Sequence, residues 1–290
     1  MKLKAPAKVN LFLEITGKRK DGYHTLNTVF QTISLFDEIQ ISKNGTGKIE
    51  LICKWLKNEP VNELPPEKNI CYKAASLLKE TLKEKNGAKI KLIKRIPSGA
   101  GLGGGSSDAG VLLKGLLNFW KRKLSQKKLN SLALKFGADV PFFLKGGCCL
   151  ASGIGEKLTS LKTKWDRDPL FLVLVKPNYS KSTQNIYSKY DDLTNKSDLT
   201  YVNNISKIKE HDRVGLDDIV LVNHLENVVF NEHPDLRKIK RFLQSSGAVK
   251  SLMSGSGTTV FGIYRREVIA RKAARELKDN KLSTWVVHTI

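Results

Sequence analysis

The residues of this chain best suited to chemistry lie in and around the stretch Ile96 to Ser107, IPSGAGLGGGSS, which places five glycines between Gly99 and Gly105 with Ser106 and Ser107 behind them. Upstream, Ala88, Ile90, Leu92 and Ile96 alternate with Lys89, Lys91 and Arg95, the period of a strand; downstream, Val111, Leu112, Leu113, Leu116 and Leu117 recur at helical spacing. The glycines therefore turn a strand into a helix. Such a turn leaves unpaired N–H groups at the helix head, where the dipole favours an anion. Missing Cβ atoms let the backbone pass through positive φ and approach phosphate oxygens closely. The stretch reads as a nucleotide phosphate cradle.

Two better-known motifs nearly fit. Gly99, Gly101 and Gly104 spell a dinucleotide-binding fingerprint, which wants an acid about 20 residues on for the ribose; Lys121, Arg122 and Lys123 stand there instead. A P-loop wants Lys after its last glycine, and Ser106 is found. A merely flexible surface loop is the remaining alternative, but flexible linkers do not usually join a strand to a capped helix.

Lys8 and Asp139 are the candidate reactive pair. In the N-terminal segment Leu3, Ala5, Ala7, Val9, Leu11 and Leu13 alternate with Lys2, Lys4, Lys8, Asn10, Phe12 and Glu14, so Lys8 and Asn10 share a strand face. Asp139 stands in the short loop Ala138–Pro141 that follows Gly137. Singly, a strand lysine is ordinarily a surface residue and a loop aspartate a turn former. Together they suit phosphoryl transfer, aspartate accepting a hydroxyl proton while lysine orients it and offsets charge on the phosphoryl oxygens. Tyr23 and His24 follow the turn GKRKDG and are either loop anchors or a platform that stacks on a base and bonds its edge. Ser254–Gly255–Ser256–Gly257 is either a hairpin turn or a second run of N–H and hydroxyl groups bordering a diphosphate. His24, His211, His224, His233 and His288 are too scattered for a metal cluster.

The elements that must position these residues follow from pattern. Strands are expected over 3–15, from Tyr23 to near Leu35, and over 37–43 and 48–54. A loop is expected over 57–68, with Pro60, Pro65 and Pro66, then a helix over 70–85 capped by Asn69. Helices over 107–120 and 126–136 follow, then strand and turn over 146–157. Beyond a polar stretch at 161–168 the order becomes a strand at 170–175, helices and loops to about 247, strands at 248–253 and 258–264, a helix at 265–279 and a strand at 284–288. Stripped of insertions this is β-α-β-β-α-β, the split-βαβ plan.

The chain has 290 residues, enough for two domains, and its apolar content of 40% is ordinary for a globular protein. No apolar run reaches the roughly 18–20 residues of a membrane helix, and the N-terminal segment alternates too regularly for a signal peptide. Cys53, Cys71, Cys148 and Cys149 form no C-x-x-C pair, and the reading is a reducing cytoplasm. The net charge of +22 is spread along the whole chain without a basic tail. That favours a solvated lysine-rich surface able to steer a polyanionic small substrate over a nucleic-acid interface.

Five segments in order, AKVNLFL (7–13), DGYHTL (21–26), PSGAGLGGGSSDA (97–109), GADVPFF (137–143) and SGSGTTVF (254–261), resemble the GHMP small-molecule kinases. The resemblance implies an α+β, two-domain GHMP kinase fold: a ribosomal-protein-S5-domain-2-like ATP domain over 1–160 and a ferredoxin-like domain over 161–290. It implies ATP as phosphoryl donor with Mg²⁺, and a cytidine-diphosphate-linked polyol as the small-molecule substrate. Lys8 and Asp139 match the family's catalytic pair. Pro97, Ser98, Gly99, Ala100, Gly101, Leu102, Gly103, Gly104, Gly105, Ser106 and Ser107 match its ATP-phosphate loop. Asn10, Tyr23 and His24 match positions on the cytidine, and KPNYSKSTQNIY (176–187) resembles a second wall in which Thr183 and Tyr187 would lie. No protein ligand for the metal is assigned; Ser107 is the one candidate. The chain is expected to be a cytoplasmic monomer or homodimer without nucleic-acid or membrane partners. The alternatives are a GHMP kinase for mevalonate or homoserine and, from another class, a nucleic-acid-binding protein.

Overall fold

The computed structural model describes residues 1–56, 65–193, 204–277 and 282–290, which form two compact units. One comprises Met1–Ala7, Leu35–Ser98 and Gly103–Gly146; the other Lys8–Ser34, Gly99–Leu102 and Gly147–Ile290. Strand β1 (Lys2–Lys18) and strand β2 (His24–Ser42) contribute residues to both. The segments expected as separate strands before and after Leu35 are thus one, because Val, Ile, Phe and Thr, which favour strands, continue through them. The loop expected over 57–68 falls for 57–64 outside the described residues, and Pro66–Lys68 form a short 3₁₀ turn.

In the first unit, strands β3 (Ile49–Trp55) and β4 (Ala88–Lys94) pair in parallel across helix α1 (Ile70–Thr81), and β4 pairs antiparallel with the second half of β2. Asn69 caps α1 as expected, its side chain accepting from Cys71 N at 2.9 Å. Helices α2 (Gly104–Phe119), α3 (Gln126–Leu134) and α4 (Val140–Lys145) follow. Ile39, Ile90, Leu92, Leu78, Leu112 and Leu116 are buried in its core.

Glu84 is an acid-sensitive group of this unit. It accepts from Asn86 N at 3.0 Å and Nδ2 at 2.8 Å and from Arg122 Nε at 2.8 Å. The Asn86 backbone bond, then the Arg122 bond, hold its carboxyl down from the ordinary 4.5 to about 2. A depressed carboxyl stabilises the fold above its unfolded pKa and loses that contribution as pH falls through the folded one. We therefore expect the stability gap between wild type and Glu84→Gln, measured by denaturant unfolding, to be full at pH 7. It should close between about pH 4.5 and 2. A gap unchanged across that window would refute the assignment.

In the second unit, strand β5 (Cys148–Ser152) pairs with the first half of β2 and with strand β6 (Lys157–Ser160). Strands β7 (Phe171–Pro177), β8 (Lys250–Met253), β9 (Val260–Tyr264) and β10 (Leu282–His288) form an antiparallel sheet in the order β10-β7-β9-β8. Helices α5 (Thr183–Leu193), α6 (Asn204–Lys209), α7 (Glu226–Glu232) and α8 (Pro234–Ser245) lie between β7 and β8 in sequence, and α9 (Glu267–Glu276) lies between β9 and β10. This is the ferredoxin-like arrangement of a split βαβ pair. Val173, Val175, Val260, Leu236, Leu243 and Ala270 are among its core.

Candidate active site

The glycine stretch is divided between the units. In the first, β4 ends at Lys94, whose ammonium pairs with the carboxylates of Asp37 and Asp108. Asp37 Oδ1 also accepts from Ile96 N at 2.8 Å, so one carboxylate fixes the backbone that enters the turn while Asp108 belongs to the helix that leaves it. All three side chains are buried. Burial opposes the Lys94 charge, but Asp108 and Asp37 outweigh it and hold the ammonium above its ordinary range. Burial pushes the Asp108 carboxyl up, with Lys94 offsetting part of the effect. A buried cluster of this kind fixes geometry more than it adds stability.

Helix α2 begins at Gly104, earlier than the expected 107, so Gly104 and Gly105 form its first turn. Gly103 precedes it with φ of 71°, and no side chain caps the end. The first-turn N–H groups of a helix have no partner within it, which leaves them for an external anion. A Cβ on Gly104 would lie 2.9 Å from Ile96 Cγ2, so glycine is required for the tight return past the strand end. Further along, a Cβ on Gly110 would stand 3.0 Å from the Val140 carbonyl. This close approach of α2 and α4 brings the loop holding Asp139 toward the head of α2. There the Cβ position of Gly137 lies 3.9 Å from Ser106 Oγ. Asp139 precedes α4, and Val140 and Pro141, expected in the loop, are its first helical residues.

The second unit assembles a separate group of the candidate residues. β1 is buried on both faces from Ala7 to Ile15, so Lys8 and Asn10 are interior, at 4% and 1% exposure. Lys8 Nζ donates to Asn10 Oδ1 at 2.7 Å and to the Gly101 carbonyl at 3.1 Å, and lies 5.3 Å from the centroid of the Phe30 ring. Asn10 Nδ2 donates to Thr28 Oγ1 at 2.8 Å, which fixes which amide atom faces the ammonium. Ala100 and Leu102 are buried, while Gly99 is exposed.

The Ser254–Gly257 turn packs directly on this glycine turn. Ser254 Oγ donates to the Gly101 carbonyl at 2.9 Å, and Gly255 has φ of 55°, where a Cβ would lie 3.3 Å from Asn10 Oδ1 and 3.4 Å from Lys8 Nζ. Behind it, Asn223 Nδ2 donates to the carbonyls of Met253 and Gly255, both at 2.8 Å. The segment after β7 forms the other border: Thr183 Oγ1 and Ser256 Oγ are 2.9 Å apart, Thr258 Oγ1 donates to the Tyr179 carbonyl at 3.0 Å, and Ser180 abuts Gly99. Ser254–Gly257 is thus the hairpin connection of the antiparallel pair β8–β9, Met253 lying opposite Val260 and Ser254 N donating to the Thr259 carbonyl at 2.9 Å, and it also packs on the glycine turn.

His24, at the start of β2, meets helix α5. Its ring stacks on Tyr187 with centroids 5.0 Å apart, and Tyr190 meets it edge-on at 6.2 Å. His24 Nε2 lies 2.7 Å from Asp191 Oδ1. Tyr23 is 61% exposed. The second unit therefore gathers Lys8, Asn10, Gly99–Leu102 and Thr183, with Tyr187 one turn further along α5 and stacked on His24, while Pro97, Ser98, Gly103–Ser107 and Asp139 belong to the first. Asp37, Lys94, Asn223 and Asp191 were missed. Only Lys94 had a local signal, since it falls on the apolar parity of β4 with Ile90 and Leu92.

With this geometry established, two family matches cover parts of the chain: GHMP kinases N terminal domain over residues 69–147 and GHMP kinases C terminal over 204–282. A protein of Clostridium beijerinckii described as 4-diphosphocytidyl-2-C-methyl-D-erythritol kinase is 39% identical, with all of both chains covered. A protein of Caldicellulosiruptor bescii with the same description is 40% identical over 96% of this chain and 94% of the other. A crystal structure of 4-(cytidine 5'-diphospho)-2C-methyl-D-erythritol kinase aligns with a TM-score of 0.78 at 31% identity, covering 100% of this chain and 99% of that one. A homoserine kinase structure from Cytophaga hutchinsonii aligns with a TM-score of 0.77 over 100% of this chain and 94% of that one, but at 18% identity it speaks to the fold alone.

Proposed function

The chain belongs to the GHMP kinases, in the branch of the 4-diphosphocytidyl-2-C-methyl-D-erythritol kinases, and we propose that it phosphorylates the 2-hydroxyl of that cytidyl alcohol with Asp139 as base and Lys8 as electrostatic partner. The reaction belongs to isoprenoid precursor synthesis by the non-mevalonate pathway, and ATP is the phosphoryl donor. The observation that carries the residue roles is the buried Lys8 ammonium, held between Asn10 and the Gly101 carbonyl of the glycine turn.

Asp139 takes the proton from the substrate hydroxyl as its oxygen attacks the γ-phosphorus. Lys8 offsets the charge that grows on the transferring oxygens, and its buried position makes that interaction stronger than in water. The free N–H groups at the head of α2 bind the phosphates. Among the described residues no group of three or more His, Cys, Asp or Glu side chains could hold a metal ion. The buried hydroxyl of Ser107 has no hydrogen-bond partner, which fits one oxygen ligand for a Mg²⁺ otherwise held by the nucleotide. When bound, Mg²⁺ neutralises phosphate charge. Asn10, Tyr23, His24, Thr183 and Tyr187 contact the cytidyl part, Tyr23 and Tyr187 by stacking and His24 at the base edge. No described helix is long and apolar enough to cross a membrane, and the reading is of a cytoplasmic monomer or homodimer.

A coupled assay of ADP release tests the substrate. Turnover is expected with the cytidyl alcohol and not with mevalonate or homoserine, which have no base to stack. Equal turnover of mevalonate would overturn the assignment, and salt-dependent RNA binding without ATP turnover would favour the nucleic-acid alternative.

A further inference from the structure

We propose that Asp191 is a positioning residue that fixes the tautomer of His24 and thereby selects cytosine over uracil. The inference rests on the reading above that Tyr23 and His24 face the base. Helix α5 presents Tyr187, Tyr190 and Asp191 at i, i+3 and i+4, which lie on one helix face. Tyr187 covers a face of the His24 ring, Tyr190 meets it edge-on, and Asp191 Oδ1 lies 2.7 Å from Nε2. The His24 side chain is only 8% exposed, so the ring has little freedom to turn over.

A carboxylate can only accept, so Nε2 carries the proton and donates. In the neutral imidazole Nδ1 is then an acceptor. Asp191 is itself held as the anion. Lys18 Nζ bonds its Oδ2 at 2.6 Å, and although burial works against the charge, the Lys18 and His24 bonds keep the carboxyl below its ordinary range. Cytosine carries an amino donor at position 4, whereas uracil carries a carbonyl acceptor there. An Nδ1 acceptor bonds the first and opposes the second. Without Asp191 the ring can place its proton on either nitrogen and satisfy either base.

The test compares kcat/KM for the cytidyl substrate and its uridyl counterpart in wild type, Asp191→Ala and His24→Ala. Nitrogen-15 NMR of the imidazole reads the tautomer directly, with His24→Ala assigning the signal. Asp191→Ala should lower cytidyl preference about tenfold, the net worth of one hydrogen bond. The loss should enter through KM for the cytidyl substrate, with KM for ATP unchanged, and the His24 signal should leave the Nε2–H position. A merely structural role would move thermal stability and both KM values together. Retained preference in Asp191→Ala, with preference lost in His24→Ala, would overturn the proposal while leaving the base reading intact. Retained preference in His24→Ala would remove the base reading and the proposal with it.

Discussion

Asp139→Asn is expected to lower kcat by about 10²–10⁴-fold, the range for loss of a general base, while ATP still binds. Asparagine keeps the size and shape of the side chain, so the entry to α4 and the approach of α4 to α2 at Gly110 should survive. What it removes is the ability to take a proton. The attacking hydroxyl would then have to lose its proton to water or to the phosphoryl group. Steady-state turnover in the coupled assay and calorimetric titration with a non-hydrolysable ATP analogue separate the two effects. Turnover within a few-fold of wild type would remove Asp139 from the mechanism. A parallel loss of nucleotide binding would mean that the residue shapes the loop rather than reacts.

How far such roles could be read from the sequence depended on whether the signal was local. The β4–turn–α2 passage was legible because alternation, glycines and helical spacing follow one another between Ala88 and Leu117. The ferredoxin-like half was legible for the same reason, as its β7, β8, β9, α9 and β10 each carry their own period. Lys8 was harder. Alternation along β1 put Lys8 and Asn10 on the polar face, yet both faces are buried, because what covers the second comes from distant segments, among them Phe30, Gly101 and Gly255. Asn10 is thus a buried partner of Lys8 as well as a candidate substrate contact.

Pairings remote in sequence left no mark to read. Ser254 bonds the carbonyl of Gly101 across 153 positions, and Lys18 and His24 share Asp191 across 173 and 167. An Asp in a polar helix looks like a solvated charge until the partner is placed. Asn223 likewise looks like a helix-entry residue until its amide is seen to hold Met253 and Gly255. Lys94 is the exception. A lysine on the apolar parity of a strand requires a buried counter-charge, and the sequence supplied Asp108 within the next helix. The compact units also interleave along the chain, with Lys8–Ser34 and Gly99–Leu102 grouped with the C-terminal half, which a composition shift near 161–168 does not reveal.

Gly101→Ala is expected to raise KM for ATP by about 10²-fold and to lower kcat as well, a combined loss of some 3 kcal/mol. Gly101 has φ of 73°, a conformation costing an alanine about 1 kcal/mol. Its Cβ would fall 2.0 Å from the Ser254 carbonyl oxygen and 3.2 Å from Gly257 N, both backbone atoms that no rotamer change can move aside. Overpacking of this kind typically costs a further 1–3 kcal/mol. The easiest relief is to push the Ser254–Gly257 turn off the glycine turn. That breaks the Ser254 bond to the Gly101 carbonyl and loosens the same carbonyl's hold on Lys8. Phosphate binding and charge stabilisation should therefore fail together, although neither the N–H donors of α2 nor the lysine has been altered. Gly105→Ala provides the contrast for folding, because its Cβ meets only Ile70 Cγ2 at 3.9 Å and its place in the first turn of α2 suits alanine. Thermal unfolding of both variants beside nucleotide titration distinguishes displacement of the loop from loss of the fold. A folded Gly101→Ala protein with wild-type affinity for ATP would show that the contact of the two turns has no part in holding the nucleotide.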